Sequence, residues 1–70
     1  MNRIKDIRIA AGLSLRELAN PAGISAPYLL DLENGRRGAR PETWQRLADA
    51  LGVKVEDLRD DKPADNPGGG

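Results

Sequence analysis

Residues 13–37, LSLRELANPAGISAPYLLDLENGRR, decide the fold. Ser14 followed three positions later by Glu17 is a reciprocal cap: the serine oxygen takes an amide proton from the first helical turn, and the carboxylate reaches back to the serine amide. A helix therefore starts near Leu15, and Leu15, Leu18, Ala19 and Ala22 give it one apolar stripe. Pro21 has no amide hydrogen and crowds the carbonyl four residues back, so this helix should stop early or bend. Gly23 permits a sharp turn. Ser25 then offers a second cap, and Pro27 is tolerated because first-turn amides have no helical partner to lose. The helix that begins at Ala26 should end at Asn34-Gly35, the two residue types that best accept a left-handed backbone.

Outward from that stretch, Ile4, Ile7, Ala10 and Ala11 recur at helical spacing between Asn2 and Ala11, with Gly12 placed to cap a first helix. On the other side, Gly38 and the arginines around it form a loop, and Pro41 suits the first position of a fourth helix. Trp44, Leu47, Ala48 and Leu51 carry that helix to a stop at Gly52, and Val53, Val55 and Leu58 complete a short fifth one. Trp44 sits at core spacing, which makes it a packing residue rather than a stacking platform. No segment shows the alternation of a strand, so the fold class is all-α. Residues 1–59 form one domain. Residues 60–70 carry Asp, Pro, Asn and Gly without a large apolar side chain, and this acidic, Gly-rich tail is expected to be disordered.

Seventy residues leave room for a single domain near the lower size limit for independent folding. The chain has neither cysteine nor histidine, which removes thiolate metal sites, the commonest metal ligand and the commonest general base. No nucleophile is paired with a base, so an enzyme is not expected, nor any metal or cofactor. Nor does any apolar run approach the roughly 20 residues that cross a bilayer, and the first ten residues are too charged for a signal peptide, so the expected location is the cytoplasm. Eleven basic residues balance eleven acidic ones. The balance is uneven along the chain, since residues 1–59 hold ten Lys/Arg against eight Asp/Glu and residues 60–70 hold Lys62 against three aspartates. Arg36, Arg37, Arg40 and Arg46 face only Glu42 among their neighbours, which makes one region locally positive.

Two short helices joined through Ala22-Gly23-Ile24-Ser25 make a helix-turn-helix, a shape whose second helix can enter the major groove of B-DNA and which also occurs in plain bundles. Taken together, AGLSLRELA, AGIS, YLLDLENGRR and LADALGVKVEDL resemble the lambda-repressor-like, Cro and xenobiotic-response-element family, with the segments in that family's order across most of the chain. The resemblance implies five helices and binding to double-stranded DNA, usually as a homodimer, in repressors, regulators or antitoxins. It makes the third helix the recognition helix, with Ser25, Ala26, Pro27 and Tyr28 at its start and Leu30 and Asp31 further along facing base edges. Asn34 with Gly35 resembles the family's backbone-contacting turn, followed by Arg36, Arg37 and Arg40 as phosphate anchors, while Arg16 is a candidate phosphate ligand on the second helix. The amides at the start of that helix would also point at the duplex, giving the Ser14 cap a second use. Glu33 would be structural, pairing with a cation or a backbone amide.

The chain departs from the family at informative places. Alanine, proline and leucine stand where relatives place glutamine, arginine, serine or asparagine, and they offer only contact with a thymine methyl. Asp31 could accept from a cytosine amino group, but near phosphates it repels. Leu15 replaces the polar residue, often glutamine, that braces the recognition helix in many relatives. The loop has Ala39 and Arg40 where the family often has proline and a hydroxyl cap. Two readings of Tyr28 stay open, a hydroxyl on a phosphate or a ring over the core edge. So do two functions: a DNA-binding regulator, or an antitoxin or adaptor that takes a protein partner through Ala26, Pro27 and Leu30.

Overall fold

The computed structural model describes residues 2–59, and the tail expected to be disordered lies outside the described residues. Five helices follow in order: α1 Ile4–Ala10, α2 Leu15–Ala22, α3 Ala26–Glu33, α4 Pro41–Leu51 and α5 Val55–Leu58. Caps written in the sequence set most of these ends. The Ser14 Oγ accepts from the Glu17 amide at 3.1 Å, and Glu17 Oε1 accepts from the Ser14 amide at 2.8 Å. Ser25 Oγ accepts from the Tyr28 amide at 3.2 Å, with Pro27 in the first turn. Asp57 accepts from the Lys54 amide at 3.1 Å and so steadies the start of α5.

Pro21 neither stops α2 early nor ends it, since the helix runs on to Ala22. The reason is position: in the last turn, proline withdraws a donor only from Glu17, whose surroundings are open to water. Gly23 then closes the helix at φ 73°, its amide donating to the Asn20 carbonyl at 3.0 Å while the Ile24 amide reaches back to Ala19 at 3.1 Å. Gly35 repeats the device after α3 at φ 74°, with the Arg36 amide donating to Asp31 at 2.9 Å. A side chain at either glycine would meet the penalty of a left-handed backbone.

Every helix sends at least one fully buried residue to a single core: Ile4, Leu18, Leu29, Leu32, Leu47 and Leu58. Each such burial contributes on the order of 1.5–3 kcal/mol, which a domain this small needs from nearly every core position. Trp44 lies half-buried against that cluster, as its spacing implied. The first helix departs from expectation. Ala10 and Ala11 are exposed, and so is Ile9 at 56%. With only seven residues, α1 presents little more than one turn to the core, and its inward face is Ile4, Ile7 and Arg8.

Arg8 takes that place because it has a buried carboxylate to meet. Its Nε donates to Glu33 Oε2 at 2.7 Å, Nη2 donates to Oε1 at 3.3 Å, and Nη1 donates to the Leu13 carbonyl at 2.9 Å. The pair ties α1 to the last residue of α3, and Glu33 is the only buried charged residue among those described. A second tie joins the two ends of the domain. Asn2 Nδ2 donates to the Leu32 carbonyl at 2.7 Å, the Arg3 amide donates to Leu58 at 2.7 Å, and Asn2 and Arg59 form an isolated antiparallel bridge. No strand forms among the described residues, and none of their helices is long and apolar enough to cross a membrane.

Candidate nucleic-acid interface

The turn at Gly23 sets α3 against α2 so that Leu29 and Leu32 are buried, while Pro27 and Leu30 stay exposed, Leu30 at 43%. Ala26 and Asp31 are half-exposed on the same outward side. This is the division that helical spacing assigns: the leucines three apart point inward and their neighbours point out. Leu15, where a polar brace was missed, packs instead against the core.

Three of the candidate residues come together around the loop after α3. The Tyr28 ring lies half-buried at the core edge, and its hydroxyl donates to the Gly38 carbonyl at 3.0 Å. Its ring therefore covers the core edge, while its hydroxyl holds the loop. Arg37 folds back over that ring, its guanidinium carbon 5.9 Å from the centroid, within cation–π range. Arg37 Nε also stands 3.4 Å from Asp31 Oδ2, in a pair whose side chains are 63% and 33% exposed. Asp31 and Tyr28 are neighbours one turn apart on α3, so the helix surface carries one end of the loop.

The other candidates are placed but not joined. Arg36 and Arg40 stand exposed on the loop, Arg16 stands exposed on the first turn of α2, and none of the three has a side-chain partner among the described residues. Asn34 is exposed at the end of α3 beside the left-handed Gly35. Ser25 is committed to its cap. Arg46 does not belong to the loop cluster: it projects from α4 toward the interhelical turn, with Nη1 3.4 Å from where a Cβ on Gly23 would stand. Sequence reasoning missed the links from Tyr28 to Gly38 and from Asp31 to Arg37. The one available signal was the three-residue spacing of Tyr28 and Asp31, which puts both on the ridge nearest the loop.

Among the described residues no group of acidic side chains is placed to hold a metal ion. What the arrangement offers is a short helix with an exposed, mostly apolar face, followed by a loop that carries unpaired guanidinium groups. Such a surface can supply charge to a polyanion along its edges and shape to a groove at its centre.

A family model described as a helix-turn-helix domain matches residues 2–61. The chain is 46% identical over 56 residues to the HTH-type transcriptional regulator DdrOP3 of Deinococcus deserti, covering 80% of this chain and 43% of that protein. Among solved structures, it resembles the restriction-modification controller protein C.AhdI from Aeromonas hydrophila with a TM-score of 0.77 and 32% identity, covering 80% of this chain and 85% of that one. It also resembles the N-terminal DNA-binding domain of the biofilm regulator SinR from Bacillus subtilis, with a TM-score of 0.70, 34% identity and coverage of 86% and 88%. The chain spans 43% and 41% of the lengths of the first two curated relatives it matches.

Proposed function

The chain belongs to the helix-turn-helix family, and from that premise we propose that it is a DNA-binding transcriptional regulator that lays α3 in the major groove. The observation that carries this reading is the set of exposed, unpaired arginines, Arg36 and Arg40 in the loop after α3 and Arg16 on the first turn of α2, together with a helix α3 whose outward face is free of core contacts. Guanidinium groups near a helix that enters the groove neutralise phosphates and fix its register, while the helix itself faces base edges. Asn34 and the backbone around Gly35 add hydrogen-bond donors without charge. The formal charge of zero is no obstacle, because attraction depends on where charge lies as well as on its sum. A symmetric pair of such domains would read half-sites about one helical turn, ~34–36 Å, apart.

A second reading rests on one observation, the exposed pair Pro27 and Leu30, which suits a protein partner. Titration of a mixed-sequence duplex into the chain, followed by amide chemical shifts, separates the two. With about four to six phosphates neutralised, affinity should fall roughly several hundredfold between ~50 and ~200 mM salt. Shifts should centre on α3 and residues 34–40, and Arg36→Glu with Arg40→Glu should abolish them without unfolding the chain. A duplex that moves no resonance at low salt would overturn the regulator reading and leave the Leu30 face to a protein.

A further inference from the structure

The outward face of α3 is poor in side chains that hydrogen-bond to bases, because Ala26, Pro27 and Leu30 can offer only apolar contact and the Asp31 carboxylate is paired with Arg37. We propose that the missing reader comes from outside the helix: Arg37, folded back onto α3 by Asp31 and Tyr28, donates to a guanine edge and sets the sequence preference of the interface. The inference rests on the DNA-binding reading above and deepens it.

Arg37 differs from its neighbours in how it is held. The side chains of Arg36 and Arg40 have no partner among the described residues, whereas that of Arg37 makes two contacts, over the Tyr28 ring at 5.9 Å and through Nε to Asp31 at 3.4 Å. The adjoining backbone is held as well, since the Tyr28 hydroxyl donates to the carbonyl of Gly38 at 3.0 Å. Pairing through Nε leaves Nη1 and Nη2 without a partner among the described residues, and these two donors form the fork that matches O6 and N7 of guanine.

The carboxylate also argues for a base rather than a phosphate. A phosphate contact gains from net positive charge, and Asp31 cancels part of it. A base contact gains from direction, and an arginine already ordered by a ring and a carboxylate gives up less side-chain freedom when it binds. Tyr28 and Asp31 are thus positioning residues, and their own ends need not touch DNA.

Selection of bound sites from a randomised duplex pool, with the full chain, tests the assignment. The wild-type chain should recover a fixed guanine at one position of each half-site. Arg37→Lys keeps the charge and loses the fork, so it should lose that preference by on the order of tenfold while the salt slope of binding stays the same. Asp31→Asn should blur the same position and strengthen binding to unrelated duplex, and Tyr28→Phe should blur it less. A base profile untouched by Arg37→Lys, with Arg37→Ala lowering the salt slope by about one, would make Arg37 a phosphate anchor and overturn the proposal. Loss of all duplex binding by the wild-type chain is a separate result, and it removes the DNA-binding reading as well. Thermal melts of each variant exclude unfolding as the cause.

Discussion

Two arginine–carboxylate pairs meet on α3 two residues apart, and they do opposite things. Arg8 and Glu33 lie inside, with side chains 12% and 1% exposed, two contacts between them and the third arginine nitrogen donating to a carbonyl. Arg37 and Asp31 lie outside at 3.4 Å, with one contact and water on most sides. The inner pair has lost its water, so removing either member strands a charge where nothing replaces it. The outer pair can exchange its partner for solvent or for another anion at little cost. One helix therefore uses the same chemistry to fasten itself to α1 at one point and to orient a solvent-facing cation at another.

Breaking the inner pair should have the largest effect. Glu33→Ala should lower stability to urea by about 3 kcal/mol, because Arg8 stays behind without a counter-charge, whereas Arg8→Met together with Glu33→Leu should recover most of that loss. A recovery that fails would mean that the pair holds α1 in place by geometry that apolar packing cannot imitate. The Ser14 cap lies between the extremes, being exposed yet bonded in both directions, and Ser14→Ala should cost about 1 kcal/mol in the same measurement. The outer pair should matter least to folding. Asp31→Asn should shift the urea midpoint by no more than about 0.5 kcal/mol in stability, and a larger loss would mark this pair as structural after all.

The helix ends were legible because their signals are local. Ser14 with Glu17, Ser25 before Pro27, and the glycines at 23, 35 and 52 each act on residues within one turn, and each stands where the sequence places it. The inward faces of α2, α3 and α4 were legible for the same reason. Apart from Pro21, which α2 tolerates in its last turn, expectation failed where the contact is distant along the chain. Nothing local says that Arg8 rather than Ala11 faces the core, since that choice is made by Glu33, 25 residues away. Asn2 reaching Leu32 is likewise invisible to spacing, as is a tyrosine that holds a loop ten residues on. Of the candidate interface, the sequence lists residues but not their grouping: spacing sets Arg37 beside Arg36 and Arg40, and only its contacts with Tyr28 and Asp31 set it apart.

The bridge between Asn2 and Arg59 has an effect beyond the domain. Because the Arg3 amide is bonded to Leu58, the polypeptide enters and leaves through one doorway, beside the final turn of α3. Residues 2 and 59 are therefore neighbours in space although they stand at opposite ends of the described chain. A load applied to residues 2 and 59 would peel that doorway open bond by bond instead of stretching the helices along their length.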